Sequence, residues 1–296
     1  MSIYTEIKEK LLESLKNEKA PWTVSYLREI LTARSGNTGK PYSYCNQMLL
    51  AVDGFNGGAF YTFNQIKKNG WKLRKGSHGG KIVFYMPVEE KLFRKTRIEE
   101  QPAEDELDQD QDQEQPAGCC NNNTFKAILK GYYVFNESDI EGRLKEFEEE
   151  KRPENFDNVI KKYLTSQNIE IKTENGCPCY VPKLDVVKIP EKKYFINDIE
   201  YLSTIAHEVI HSTGHEKRLN RFRLYETPKT AAFEELVAEI GAAFLCAHCG
   251  IDYSKAIKNN AAYCRHYARI FEEQNERFFV MAAAKAQKAV EFILAA

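Results

Sequence analysis

The 296-residue sequence predicts an α+β protein of two domains. A small α/β domain is expected over residues 1–145, and a mainly helical domain with a short antiparallel sheet over 146–296. Three observations support this division. Short β-branched and aromatic runs punctuated by glycine fill much of the first half, whereas apolar residues at helical spacing dominate the end of the chain. Between them, residues 99–114 hold nine acids and no base, interspersed with Gln and Pro. Such a composition cannot bury enough apolar surface to order itself, so about 90–123 is expected to be a flexible insertion in the first domain.

The elements follow in chain order. Residues 3–17 form an amphipathic helix with Ile3, Ile7, Leu11, Leu12 and Leu15 inward. A second helix is expected near 46–52, and Thr62 with Gln65 caps another that ends before Gly70. Residues 71–74, 82–86 and 125–135 read as strands of a small antiparallel sheet, the last two joined across the insertion. The second domain opens with a helix over 155–166, in which Phe156, Val159, Ile160, Tyr163 and Leu164 recur at helical spacing. Short strands follow at 169–171, 180–181 and 185–189. A strand placed just before the next helix is suited to hold an extended peptide by strand addition. Helices at roughly 230–248, 256–272 and 275–294 complete the chain.

The most specific chemistry lies at His207-Glu208-Val209-Ile210-His211. Asn197 and Glu200 supply a capping-box pattern for a helix whose apolar stripe is Ile199, Leu202, Ile205, Ala206, Val209, Ile210 and Thr213, with Gly214 as its stop. His207 and His211 fall off that stripe. Two imidazoles four residues apart on a helix project from one face, as two ligands of a tetrahedral Zn²⁺ require. Glu208 is placed to take a proton from water at the open position. The competing reading is a surface helix with two solvated histidines.

A third ligand is needed. The long-spacer pattern that uses a histidine at position 217 is excluded, because Lys217 stands there. The next helix carries Glu234-Glu235-Leu236-Val237-Ala238-Glu239. Glu235, Ala238, Glu239 and Ala242 share the face opposite its apolar side, and the small residues suit close packing. Glu235 is therefore assigned as the third ligand and Glu239 as an acceptor that orients a ligating imidazole. Glu234 points to another side of the helix. His215 is expected either to touch substrate or oxyanion, or to cap the helix end. His78, His248 and His266 have no ligand spacing. Zn²⁺ is the expected cofactor, with Mn²⁺ or another divalent metal as the alternative.

No signal peptide or spanning apolar run is visible, so a cytoplasmic protein without membrane contact is expected. No two pairs among the eight cysteines make a C-x-x-C…C-x-x-C arrangement, and they read as reduced thiols. The net charge of −1 conceals an asymmetry. Residues 1–88 carry 13 Lys+Arg against 6 Asp+Glu, a balance of +7 that leaves −8 for the rest. Between Gly54 and Val88 there is no acid, while Lys67, Lys68, Lys72, Arg74, Lys75 and Lys81 supply six cations. The aromatic residues Trp22, Tyr26, Tyr42, Tyr44, Phe60, Tyr61, Phe63 and Trp71 lie in the same basic region. Cations that follow phosphates and rings that stack on unpaired bases are the ingredients of single-strand binding. The alternative is a small domain whose aromatics form its core and whose lysines are merely solvated.

Ordered blocks along the chain decide between these. They begin with Pro21-Trp22, Thr38-Gly39-Lys40-Pro41-Tyr42, Asn46 and Leu49-Leu50. Phe60-Tyr61-Thr62-Phe63-Asn64-Gln65 and Gly70-Trp71-Lys72-Leu73-Arg74-Lys75-Gly76 follow. Then come the pentad with Ser212-Thr213-Gly214-His215, Arg218-Leu219-Asn220-Arg221, the segment from Phe233 to Leu245, and Lys285-Ala286-Gln287-Lys288-Ala289. Together they resemble the ArdC-type antirestriction proteins of conjugative plasmids. Two features depart from that pattern: the long acidic insertion, and the turn Ser77-His78-Gly79. The resemblance implies an N-terminal single-stranded-DNA-binding domain before a zincin-like metallopeptidase domain, and protection of incoming DNA from restriction. It implies a gluzincin-like site with His207, His211 and Glu235 as ligands and Glu208 as base. The expected DNA contacts are Trp22, Lys40, Tyr42, Tyr44, Asn46, Tyr61, Trp71, Lys72, Arg74, Lys75 and Lys81.

The expected reaction is metal-assisted amide hydrolysis, with Glu208 carrying the proton from water to the leaving nitrogen. Three function classes stand at this point: an antirestriction protein with both activities, a zinc peptidase whose N-terminal domain recruits proteins, and a DNA-binding protein with an inactive metal site. The protein or peptide substrate is not specified by the sequence.

Overall fold

The computed structural model describes residues 2–88, 126–142, 147, 153–222, 228–257 and 260–296, and the expected acidic insertion lies outside them. Helix α1, Ile3–Lys16, starts where Ser2 Oγ accepts the Thr5 N–H, and it buries Tyr4, Ile7, Leu11 and Leu15 at helical spacing. After the single turn α2, Leu27–Ile30, and strand β1, Arg34–Ser35, helix α3 spans Tyr44–Val52. It begins two residues before the sequence suggests, because Ser43 takes the cap.

Strand β2, Ala59–Thr62, leads directly into α4, Phe63–Lys68. Both halves of the expected Thr62–Gln65 capping box form, with Oγ1 of Thr62 accepting at 3.3 Å and Oε1 of Gln65 accepting at 2.9 Å. β3, Lys72–Leu73, β4, Gly80–Val88, β5, Lys126–Asn136, and β6, Ile140–Glu141, complete this half. The strand order is β1-β2-β5-β4, with β4 and β5 antiparallel as expected. Residues 71–74 were expected in the same sheet. Instead β3 pairs with β6 in a separate ribbon, and the place beside β5 is taken by β2.

The other half opens with α5, Phe156–Gln167, capped by Asn155 and stopped by Asn168 in a left-handed conformation. Strands β7, Glu170–Thr173, β8, Cys179–Val181, and β9, Val186–Ile189, form a sheet in the order β7-β9-β8. Its β8–β9 pair is antiparallel, while β7 runs parallel to β9, so the sheet is mixed. Four helices follow: α6, Asp198–Ser212, α7, Pro228–His248, α8, Asn260–Glu273, and α9, Phe278–Leu294. The α+β class holds.

Helix α7 is the central beam. Its residues from Leu236 to Ala247 are buried apart from Glu239, and α6 and α9 pack on it. The approach to α6 is close, since a Cβ on Gly241 would lie 2.9 Å from Ile210 side-chain atoms. One continuous apolar core runs from α1 and α3 into α7, α8 and α9. Trp22 shows how the halves join: its ring is fully buried against Tyr267, Phe271 and Phe279. Tyr44 stacks on Phe244 with centroids 3.8 Å apart. Among the described residues no helix is long and apolar enough to cross a membrane.

Candidate metal centre

Helical phase brings three side chains to one point. Nε2 of His207 and Nε2 of His211 on α6 are 3.1 Å apart. The Glu235 carboxylate from α7 lies 3.4 Å from the first nitrogen and 3.6 Å from the second. Two imidazole nitrogens this close need one proton or one cation between them. A tetrahedral cation with ligand bonds of about 2.05 Å separates its ligands by about 3.3 Å, so these spacings fit a divalent metal. Among the described residues His207, His211 and Glu235 form the group suited to hold one.

The outer nitrogens of the two rings also face carboxylates. Nδ1 of His207 lies 3.7 Å from Glu239, and Nδ1 of His211 lies 3.3 Å from Glu234. Helix α7 thus supplies all three acids: Glu235 toward the shared point, Glu239 and Glu234 behind the rings. Carboxylates so placed face the outer nitrogen of each ring, Glu234 at 3.3 Å and Glu239 at 3.7 Å. Glu239 was expected in this role. Glu234 was not, and its partner explains its burial. The Arg221 guanidinium donates to both of its oxygens at 2.7 and 3.0 Å, to Thr213 Oγ1 and to the Ile210 carbonyl. Burial opposes the charged form of Glu234, yet the bonds from His211 and Arg221 hold its carboxyl below the usual range. Burial likewise opposes charge on His207, but the Glu235 hydrogen bond and the charges of Glu239 and Glu208 push its pKa up to about 9.

Glu208 is buried beside this group, and one of its oxygens accepts the Tyr180 N–H at 2.7 Å. Tyr180 belongs to the edge strand β8, so the sheet edge fixes the carboxylate. The β8–β9 turn is itself tied to the end of α6. Arg218 pairs with Asp185, and donates to the Tyr180 hydroxyl at 2.9 Å and the Ser212 carbonyl at 2.7 Å. His215 does not join the ligands; its Nδ1 accepts the Lys217 N–H at 3.2 Å, in the turn that follows α6. His248 bonds the Tyr44 hydroxyl, His78 stacks on Phe55, and His266 packs on Tyr267.

The expected DNA contacts divide into two groups. Trp22, Tyr42, Tyr44, Asn46 and Tyr61 are all buried. A ring enclosed on both faces cannot stack on a base, and Asn46 spends both ends of its amide on the Val83 backbone. These five are core residues, and the expectation is corrected. Lys40, Lys72, Arg74 and Lys75 are exposed, and Trp71 is half-buried with its ring edge-on to Tyr61. Lys81 is half-buried and paired with Glu6. Six cysteines are described, all with free thiols, of which Cys177 and Cys179 are exposed.

Comparison with known proteins follows the same division. The description "N-terminal domain of anti-restriction factor ArdC" matches residues 1–135, and "Zincin-like metallopeptidase" matches 158–285. The chain is similar to a DNA primase TraC of Escherichia coli, with 28% identity over 297 residues. That match covers 99% of this chain but only 27% of the relative. It is also 26% identical over 252 residues to an uncharacterized protein, y4eC, of Sinorhizobium fredii, covering 82% of this chain and 73% of that one. Crystal structures of antirestriction ArdC protein from the R388 plasmid match at TM-scores of 0.71 (Mn(II)-bound) and 0.70 (metal-free). Both are 26% identical, covering 99% of this chain and 97% of theirs. With both characteristic domains in order and whole-chain likeness to the solved antirestriction ArdC structures, the chain has the two-domain organisation of the ArdC-type antirestriction proteins.

Proposed function

We propose that this protein binds single-stranded DNA as an antirestriction factor of a mobile element and hydrolyses peptide bonds at a metal centre. The observation that carries the catalytic half is the convergence of His207, His211 and Glu235 beside a buried, strand-anchored Glu208. A divalent cation bound there, zinc in our reading, supplies a Lewis acid and an acidified water.

The rest is done by the chain. Glu239 and Glu234 hold the two rings in the tautomer that directs Nε2 inward. The Tyr180 N–H takes one Glu208 oxygen, leaving the other to accept the proton of the attacking water. The water oxygen adds to the peptide carbonyl carbon, the C–N bond breaks, and Glu208 returns the proton to the departing nitrogen. β9, the strand just before α6, is paired on both sides and cannot take a further strand, and on the edge strand β8 the Tyr180 N–H is already given to Glu208. The DNA half is supported by the exposed Lys67, Lys68, Lys72, Arg74 and Lys75 in a stretch without acids.

The experiment is Glu208→Gln. It should abolish cleavage in a substrate screen and leave both metal content and oligonucleotide binding unchanged. Undiminished proteolysis in that variant would reject the catalytic reading.

A further inference from the structure

We infer that an aromatic strip on the outer face of the four-stranded sheet, Phe63–Phe135–Tyr133, is the platform on which unpaired bases stack. The inference rests on the single-strand reading above and names the surface that does the binding.

Strand alternation exposes the strip. On β5, Val134 and Asn136 are buried, so Tyr133 and Phe135 share the opposite face, where Phe135 packs on the small cluster of Ala59, Tyr61, Ile66 and Ile140 and Tyr133 stands exposed. Tyr133 is 60% exposed and Phe63, at the start of α4, is 56% exposed. Phe135 lies between them, half-buried, its ring 6.5 Å from that of Phe63. Tyr61, opposite Phe135 in register, is closed off by Trp71, so the sheet face is covered at that side and open over Tyr133. Gly79 keeps it open: a Cβ there would come within 3.3 Å of Phe135 and 3.4 Å of Tyr133. Single exposed rings need no explanation, but a contiguous strip of them beside cations does.

The charge around the strip selects the occupant. Phe63 opens the helix that carries Lys67 and Lys68, and the exposed Lys72, Arg74 and Lys75 follow within the acid-free stretch. Among the described residues Lys67, Lys68, Lys72 and Lys75 form no ion pair. Lys81, opposite Tyr133 on β4, holds its ammonium 5.5 Å from that ring while pairing with Glu6. Glu141 stands opposite Lys72 and 3.9 Å from Arg74, so the cations without an acid near them are Lys67 and Lys68 on the helix that Phe63 opens, and Lys75. Exposed rings on the same elements as such cations match a phosphate backbone with splayed bases, whereas a duplex hides its base faces from such rings.

The test is fluorescence anisotropy of a labelled oligo-dT across a salt series, using the unaltered protein, F63A/Y133A, F63W/Y133W and K67A/K68A. The aromatic deletion should weaken binding by about 100-fold, roughly tenfold per ring, without changing the slope of log K against log salt. The tryptophan pair should restore affinity, and the lysine pair should reduce the slope by about one to two. Metal uptake, unchanged in every variant, serves as the control for folding. Equal affinity of F63A/Y133A and the unaltered protein overturns the inference while leaving single-strand binding intact. Equal binding of a duplex also overturns it, as does self-association that the aromatic deletion removes without affecting oligo-dT. Failure of the unaltered protein to bind oligo-dT removes the single-strand reading and the platform together.

Discussion

One carboxylate oxygen of Glu239 faces Nδ1 of His207 at 3.7 Å, and the other accepts the hydroxyls of Tyr253 and Tyr263 at 2.8 and 2.7 Å. The Tyr263 hydroxyl in turn accepts the indole N–H of Trp22 at 2.7 Å. The carboxylate that faces His207 is thereby linked through Tyr263 to Trp22 in the N-terminal half. Loss of an orienting carboxylate costs about 10- to 100-fold in metal affinity. Glu239→Ala should fall in that range in a chelator-competition titration, and Glu235→Ala should cost more because a ligand is lost. Unaltered affinity in E239A would show that the chain does not orient His207.

Trp22 offers a prediction opposite to the one its sequence context suggests. Its ring packs between α8 and α9, so Trp22→Ala should open a cavity and destabilise the protein by about 3–5 kcal/mol. Denaturant unfolding measures this directly. Oligonucleotide affinity of the folded fraction should be unchanged, and a specific loss of affinity with normal stability would return Trp22 to the DNA surface.

The contrast between Trp22 and Tyr133 shows where the sequence was legible. Local signals were readable: the Thr62–Gln65 box, the Asn197 cap and the spacing of His207 and His211 need only nearby residues. Helical phase also separated Glu235 from Glu234. Burial of aromatics was not readable, because it depends on which distant elements cover them. Trp22, Tyr44 and Tyr61 lie in a basic, glycine-rich stretch yet are enclosed by α7, α8, α9 and the β3–β6 ribbon. Tyr133, outside that stretch, stands open because strand alternation turns it outward. The place of Glu234 is hidden in the sequence for a related reason, since Arg221 reaches it from another element.

The Arg221–Glu234 pair is buried, with side chains 2% and 6% exposed. Removing one partner of such a pair leaves an uncompensated charge, so Arg221→Ala should cost about 3–5 kcal/mol. The carboxyl pKa is lowered on folding. Its contribution is therefore present above the ordinary carboxylate pKa and is lost as pH falls through the lowered value. The stability gap between the unaltered protein and E234Q should be widest near neutral pH and narrow on acidification. A gap independent of pH would mean that the pair contributes through packing alone.

His207 carries the opposite sign. Against the opposing effect of burial, the Glu235, Glu239 and Glu208 carboxylates push its pKa from 6.5 up to about 9, so the proton stabilises the fold fully below about pH 6.5. That contribution disappears as pH rises through about 9. A metal ligand must be neutral, so cation uptake near pH 8 must expel this proton, and the surrounding acids then serve the cation instead. Calorimetric titration with Zn²⁺ or Mn²⁺ in two buffers of different ionisation enthalpy should therefore report release of about one proton. Apparent affinity should increase with pH until about 9 and then level off for this group. In Glu239→Gln one of the charges that holds the proton is gone, so fewer protons should be released at the same pH. Binding that releases no proton at pH 8 would mean that His207 is neutral before the metal arrives, and that Glu235 and Glu239 do not govern its charge.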